Sequence, residues 1–471
     1  MKKIFNYLFV FICSHLCVGA WWIVNYFGKV TGDEMLFHLF APLNGISNDS
    51  YIDYFLLGIL PTVVIASIIY FLINKYLKKK RLVYICSFMF SLLFFIFYLD
   101  IDNYIYNQVN TSKFIEDNYV NPENVELRFP KKKKNLIFIY LESMENTYSD
   151  KKNGGVQKEN LIPNLTKLAK KNISFSNSKK MGGALQIAGS EWTVASMVSH
   201  TSGLPLKVNL SSNGIIDFND FMPDVETLGD VLEENGYHNY LIAGSDTIYG
   251  GRKAYFEENG NYEIYDVNDA LEDKVIKEKV FWGFDDDILY SLAKDKLLEI
   301  SKEDEPFNYT ILTVDTHFED GYLSDTCGVK FNDQYADVIY CADQKIKDFL
   351  EWLEEQDFYE DTSIVIVGDH KSMDADFFND VDESYKRTNY NVFINSSVDT
   401  HNIYNREFAA IDLYPTTLAS MGVKIKGDKL GLGTNLFSDE KTLIEEYGYE
   451  YVFKELKKRS SFYNDEFLEY K

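Results

Sequence analysis

The pattern of apolar and polar positions changes twice along the chain. Three uninterrupted apolar runs fill most of the first hundred residues: Ile4 to Phe27, Phe55 to Ile73 and Leu82 to Leu99. They are 24, 19 and 18 residues long and contain no Lys, Arg, Asp or Glu. Each is long enough to cross a hydrocarbon core as a helix. The first runs on through "AWWIVNYF" with no small-residue cleavage site, which predicts a retained span. Residues 100–134 are polar, rich in Asn and Asp, and predict a tether with some helix. From Asn135 the pattern changes again. Short apolar runs, "NLIFIYL" (135–141), "YLIAG" (240–244), "YTILTV" (309–314), "SIVIVG" (363–368) and "YNVFIN" (390–395), alternate with helical patterns such as "ETLGDVLEENG" and "ADVIYCADQKIKDFLEWLEEQ". That alternation predicts an α/β domain with a mostly parallel sheet flanked by helices. The expected layout is a membrane region over 1–99, a linker over 100–134 and a folded domain over 135–471.

Charge gives this layout a direction. Lys2 and Lys3 precede the first run, and Lys75, Lys78, Lys79, Lys80 and Arg81 lie between the second and third. Between the first and second, Lys29 stands alone against four acids. Cationic loops stay in the cytoplasm, so the N-terminus is expected inside and the folded domain outside, facing the periplasm or the extracellular side. Residues 1–134 carry 14 Lys and Arg against 10 Asp and Glu, leaving 33 against 62, or −29, for 135–471. Such a surface argues against a nucleic-acid partner. Of five cysteines only Cys327 and Cys341 fall in the exported part. In an oxidising compartment they predict a disulfide, worth about 3 kcal/mol by loop-closure entropy.

In parallel sheets ligands gather at the carboxyl ends of the strands. The residues just past the apolar runs are Glu142, then Asp315-Thr316-His317, then Asp369 and His370. An isolated "DH" is usually a strand entering a polar turn, but here acids and imidazoles far apart in sequence fall on one sheet edge. Glu142, Asp369 and His370 suit a single divalent cation, Mn, Mg or Zn. Ser190, in "GSEWTVASMVSH", follows a Gly where an amphipathic helix is expected to begin. A Ser there is ordinarily a cap. Beside a cation and a helix N-terminus it also suits attack on a phosphoester.

Taken in order, "NLIFIYLESMENTY", "IPNLTKLAKKNISFSN", "GSEWTVASMVSHTSGLPL", "WGFDDDILY", "LTVDTHFEDGYLSDTC" and "GDHKSM" resemble the phosphoglycerol transferases of periplasmic glucans. More distantly they resemble the lipoteichoic acid synthases, within the alkaline phosphatase and sulfatase superfamily. The similarity covers about Asn135 to Leu436. The resemblance implies Glu142, Asp369 and His370 as metal ligands. It implies Ser190, where the family commonly has Thr, as the nucleophile and a fourth ligand, with Thr193 in reserve. It places His317 and Arg252 at the transferred phosphate, where His317 also suits the acid or base that assists the acceptor hydroxyl. Trp282 matches a family motif and suits core packing as well as substrate contact. His200 is expected to be structural, His238 at the surface, Asp285 to Asp287 a charged helix start, and "IDLYPTTLASMG" scaffold.

The expected function is a membrane-anchored phosphoglycerol transferase. It would move glycerol phosphate from phosphatidylglycerol to a glycan or polymer hydroxyl through a covalent Ser190 ester. A phosphoethanolamine transferase would differ in its donor. A non-catalytic binding protein with the same fold would hold no cation. A sulfatase proper needs a C/S-x-P-x-R sequence, which the segment around Ser190 lacks.

Overall fold

The computed structural model describes residues 2–27, 30–40, 48–208 and 221–468. Lys29, used above for orientation, lies outside them. The apolar runs form helices α1 (Lys2–Phe27), α3 (Leu60–Tyr76) and α4 (Lys80–Tyr98), with a short helix α2 (Gly32–Phe40) following the first. Three helical stretches, Lys3–Phe27, Tyr51–Tyr76 and Lys80–Tyr98, are long and apolar enough to cross a membrane. Their large side chains, among them Phe71, Leu82 and Phe90, are exposed. In water that would be a liability, whereas lipid covers such a surface without cost. Helix α2 opens on a reciprocal cap: Thr31 Oγ1 accepts the Glu34 amide at 3.2 Å and Glu34 Oε2 accepts the Thr31 amide at 3.3 Å.

Six strands form the central sheet: β1 (Asn135–Leu141), β2 (His238–Ala243), β3 (Glu263–Tyr265), β4 (Phe307–Leu312), β5 (Thr362–Gly368) and β6 (Asn391–Ile394). Their order is β3-β2-β4-β1-β5-β6, parallel except for the antiparallel edge strand β6. β3 is too short for its apolar pattern to stand out in the sequence. Both faces are buried. Phe138, Tyr140, Leu241 and Val365 point to one side, where helices α6 (Thr193–Ser202) and α7 (Leu228–Glu234) pack. Ile137, Ile139, Ile311 and Ile366 point to the other, against α5 (Pro163–Lys171), α8 (Asp286–Ile300) and α9 (Gln334–Glu354). This explains the near-continuous apolar strands: alternation is lost when both faces are covered.

Residues 100–134 are more than a tether. They do contain helix, but Phe114 and Ile115 are buried in the domain core, and Leu127 and Arg128 pair antiparallel with Lys424 and Ile425. The expected disulfide between Cys327 and Cys341 is present, with Cα atoms 5.6 Å apart. It ties the loop that follows β4 to helix α9.

Candidate active site

Strand register brings the acidic and imidazole groups together. β1 and β5 end side by side, with Leu141 opposite Gly368, so Glu142 and Asp369 emerge as neighbours. Gly368 is required there: a Cβ would lie 1.8 Å from the Met144 carbonyl oxygen. β4 ends one step earlier, with Leu312 opposite Tyr140, and Thr313 Oγ1 accepts the Glu142 amide at 2.9 Å. The backbone is fixed by the sheet, and the side chains are fixed by hydrogen bonds. Asp369 Oδ1 accepts the amides of Ser143 (2.8 Å) and His370 (2.7 Å), and Glu142 Oε1 accepts Ser143 Oγ at 2.8 Å. His370 Nδ1 donates to the Lys371 carbonyl at 2.8 Å, which fixes its tautomer and leaves Nε2 facing the carboxylates.

Glu142, Asp369 and His370 each offer a ligand atom, all within 4.8 Å of one another, and all three residues are buried. Nε2 of His370 lies 3.4 Å from Glu142 Oε1 and 3.5 Å from Asp369 Oδ2. The electrostatics call for positive charge. Burial, then the Glu142 charge, push Asp369 up to about 7. Burial disfavours an imidazolium at His370, yet Asp369 and Glu142 together lift it to about 10. Asp369 Oδ2 is moreover buried with no hydrogen-bond partner, a costly state for a carboxylate oxygen unless something else neutralises it. The donor set, the orphaned oxygen and the fixed tautomer all fit a divalent cation.

The hydroxyl beside this cluster belongs to Thr193 rather than Ser190. Thr193 Oγ1 donates to Glu142 Oε2 at 3.4 Å and lies 3.3 Å from His370 Nε2. Ser190 is buried in the preceding turn, where its hydroxyl donates to the Ile187 carbonyl at 2.9 Å and accepts the Ile187 amide at 3.2 Å. The expected helix begins one turn later, at Thr193, with Trp192 as its N-cap. Glu191 is the cause. Its Oε2 accepts the amides of Gly189 (2.6 Å) and Ser190 (3.2 Å) and closes a separate turn, in which Gly189 takes φ +82°.

Beside the cluster, and reaching it at Glu142, lies a cavity of about 290 Å³. Thr193, Arg252, His317 and Trp282 all line it. The Arg252 guanidinium is held by Ser245 Oγ (3.1 Å) and the Asp246 carbonyl (2.6 Å). His317 Nδ1 donates to the Phe318 carbonyl at 2.7 Å, and its ring lies 4.5 Å from that of Trp282. Trp282 thus belongs to the site rather than to the core. Below His317, Asp286 is more than a helix-start charge. It is buried and accepts the Val314 amide at 2.8 Å, while Lys345 bridges Asp315 and Asp287 at 2.8 Å each. His200 is buried and bonded to its own helix at the Ser196 carbonyl, and His238 is exposed, as expected of both.

Sequence reading missed the other wall of the cavity. Ile23, Phe27, Val30, Glu34, Met35 and His38 line it from the membrane-proximal segment, together with Phe37. The rings of Tyr26 and Phe27 lie 5.7 and 5.6 Å from that of Phe318. The only sequence cue was an apolar-acidic stretch, "GDEMLFHLF", between two spans on the expected outer side.

Comparison with known proteins agrees with this architecture. The family model described as Sulfatase matches residues 134–423. The phosphoglycerol transferase I of Xanthomonas campestris pv. campestris (strain B100) is 30% identical over 318 residues, covering 66% of this chain and 43% of that protein. The chain thus spans less than half the length of that relative. Among solved structures, the lipoteichoic acid synthase LtaP from Listeria monocytogenes superposes with a TM-score of 0.53 at 18% identity, over 70% of this chain and 82% of that one. The integral membrane lipooligosaccharide phosphoethanolamine transferase A (EptA) from Neisseria meningitidis also gives 0.53, at 14% identity, over 90% and 84%. At those identities the likeness is one of fold, but the family match spans well over half of the chain, from the start of β1 past the end of β6: this protein belongs to the sulfatase family.

Proposed function

We propose that the protein is a membrane-anchored phosphoglycerol transferase whose domain after the third span faces outward, and that Thr193 is its nucleophile. It takes glycerol phosphate from phosphatidylglycerol and passes it to a hydroxyl of a glycan or polymer. The observation that carries this reading is the position of Thr193: first residue of a ten-residue helix, in hydrogen-bond reach of Glu142 and His370. Helix N–H groups favour phosphate at that end. A divalent ion, held by Glu142, Asp369, His370 and Thr193, would supply the positive charge that makes the threonine oxygen nucleophilic.

This chain's own side chains do the rest. Arg252 and His317 stabilise charge on the phosphate oxygens. Thr193 oxygen attacks phosphorus, diacylglycerol departs, and an acceptor hydroxyl later displaces the threonine. The apolar wall of Ile23, Phe27, Val30 and Met35 receives the acyl end of the donor, next to the bilayer that supplies it. The relative from Xanthomonas supports the glycerol phosphate donor over phosphoethanolamine.

The test is to incubate the full chain with vesicles of labelled phosphatidylglycerol and locate the adduct by mass spectrometry. A glycerophosphoryl group on Thr193, lost in Thr193→Ala, is the expected result. Ser190→Ala should keep turnover within about threefold and cost about 1 kcal/mol of stability, the worth of a buried hydroxyl's bonds. An adduct at Ser190, or diacylglycerol release unaffected by Thr193→Ala, would sink the assignment.

A further inference from the structure

Helix α2 leaves the end of the first span and lays Glu34, Phe37 and His38 along the catalytic cavity. It is docked by rings. Phe37 lies 5.4 Å from Trp192, and His38 lies 6.3 Å from Trp192 and 6.2 Å from Tyr249. Tyr249 continues to Trp282 at 5.9 Å, and Trp282 to His317 at 4.5 Å. His38 and His317 therefore stand at opposite ends of one aromatic wall, around the space that Thr193 and Arg252 enter. His38 Nδ1 lies 2.9 Å from the Glu34 carbonyl oxygen. A carbonyl only accepts, so Nδ1 carries the hydrogen and Nε2 is the nitrogen that gains or loses a proton.

The transfer needs such a group. The oxygen that leaves with diacylglycerol, and the oxygen that arrives with the acceptor, are alcohols whose alkoxides are too basic to be released or formed unaided. His370 Nε2 is committed to the cation cluster and Arg252 does not titrate, which leaves two imidazoles, His317 at the phosphate end of the aromatic wall and His38 at the membrane end, where the lipid alcohol departs. We propose that His38, contributed by the membrane-proximal helix, is the proton-transfer residue for the departing and incoming alcohol oxygens; this rests on the transferase reading above.

In the first step the Thr193 O–P bond forms while the P–O bond to diacylglycerol breaks. The His38 imidazolium gives its Nε2 proton to the leaving oxygen, and the Thr193 proton passes to water. In the second step the neutral imidazole takes the acceptor's proton as the new O–P bond forms. The bond from phosphorus to Thr193 breaks, and the threonine oxygen recovers a proton from water. Each step moves one proton on and one off, and His38 ends as it began. Burial lowers the pKa of His38, the bond to the Glu34 carbonyl opposes that, and nearby His317 and His370 lower it further. The neutral imidazole that takes the acceptor's proton is thus the favoured form, and the imidazolium, once formed, gives its proton up more readily than an ordinary histidine's. The other charged or titratable groups along the cavity are Glu34, Glu142, Asp246, Tyr249 and Arg252.

The experiment compares two donors in full-length protein: phosphatidylglycerol vesicles, whose leaving group needs a proton, and bis(p-nitrophenyl) phosphate, whose phenolate does not. In His38→Gln the single-turnover rate of adduct formation from saturating phosphatidylglycerol should fall about a hundredfold or more. The rate with the aryl diester should stay within about threefold, which also shows that the variant is folded and Thr193 intact. Added imidazole should restore part of the lipid reaction. Equal losses on both donors, or a loss confined to KM for the lipid, would overturn the proposal and make His38 a wall residue. A wild-type chain that reacts with the aryl diester but leaves phosphatidylglycerol untouched would instead remove the transferase reading, before any variant is compared.

Discussion

The candidate active-site cavity has a floor and a roof built on different principles. The floor, where Glu142 and Thr193 line the cavity and Asp369 and His370 lie buried behind them, hangs from the ends of parallel strands and one helix. Nearly every polar atom in it is pinned by a hydrogen bond to backbone or side chain. The roof, made by Phe27, Phe37 and His38, comes from the membrane segment and is held mainly by ring packing against Trp192, Tyr249 and Phe318. A hydrogen-bonded floor has one geometry, as the proposed transfer at a phosphorus atom would require. Ring packing is less directional, which would suit a wall that admits a lipid and then a different acceptor. Under the proposed function the contrast separates two tasks: the floor reacts and the roof chooses.

The largest effect that would sharpen this contrast is on the floor. Asp369→Asn keeps an oxygen for the amides of Ser143 and His370 but removes the charge and the orphaned Oδ2. Outer-shell partners of metal ligands already cost 10- to 100-fold in affinity when mutated. Loss of a ligand charge should therefore cost on the order of a hundredfold or more in cation affinity, read by metal analysis after dialysis. Turnover of every donor should fall with it. A variant that keeps its cation and loses activity would mean that these three side chains do not form the metal site.

A roof change should discriminate between donors. Phe27→Ser removes apolar surface from the cavity wall beside Phe318 and leaves the floor untouched. Losing roughly 50 Å² of apolar contact with an acyl chain is worth about 1.4 kcal/mol, or about tenfold. That factor should appear with phosphatidylglycerol vesicles and vanish with bis(p-nitrophenyl) phosphate. The same tenfold loss with both donors would erase the distinction between the two walls.

The same division decides what could be read from the sequence. The strands, their helical connections and the residues just past β1, β4 and β5 were legible, because period and burial are local and the sheet fixes where strand ends fall. The sequence favours Ser190 and leaves Thr193, about one helical turn on, in reserve. Ser is the better N-cap by propensity, but Trp192 occupies the cap without a side-chain bond, and Glu191 spends its carboxylate closing the turn before it. Residues 100–134 look polar enough for a tether, and only the tertiary fold shows Phe114 and Ile115 buried. The roof was unreadable for a deeper reason. Between Phe27 and Phe318 lie almost three hundred residues, and no local pattern in "GDEMLFHLF" announces which surface it will cover.

Glu34 offers the smallest and most selective test of how the roof is held. Burial, and then the nearby Glu191 charge, push its carboxyl up to about 8 from the ordinary 4.5. A carboxyl whose folded pKa is raised binds its proton more tightly in the folded state. Its contribution to stability is complete below about 4.5 and is lost as pH climbs through about 8. The group caps helix α2, so the loss should fall on the roof before the floor. Between pH 7 and pH 9, hydrogen exchange of the amides over Gly32–Phe40 should accelerate beyond the ordinary base-catalysed rise, while the strands β1 and β5 stay protected. Glu34→Gln keeps the reciprocal cap, since Gln serves at that position as well as Glu, but has no charge to expose. Its α2 amides should show only the ordinary rise. If the wild type and Glu34→Gln exchange alike across that range, the docking of α2 does not depend on a neutral Glu34, and the roof is held by its aromatic contacts alone.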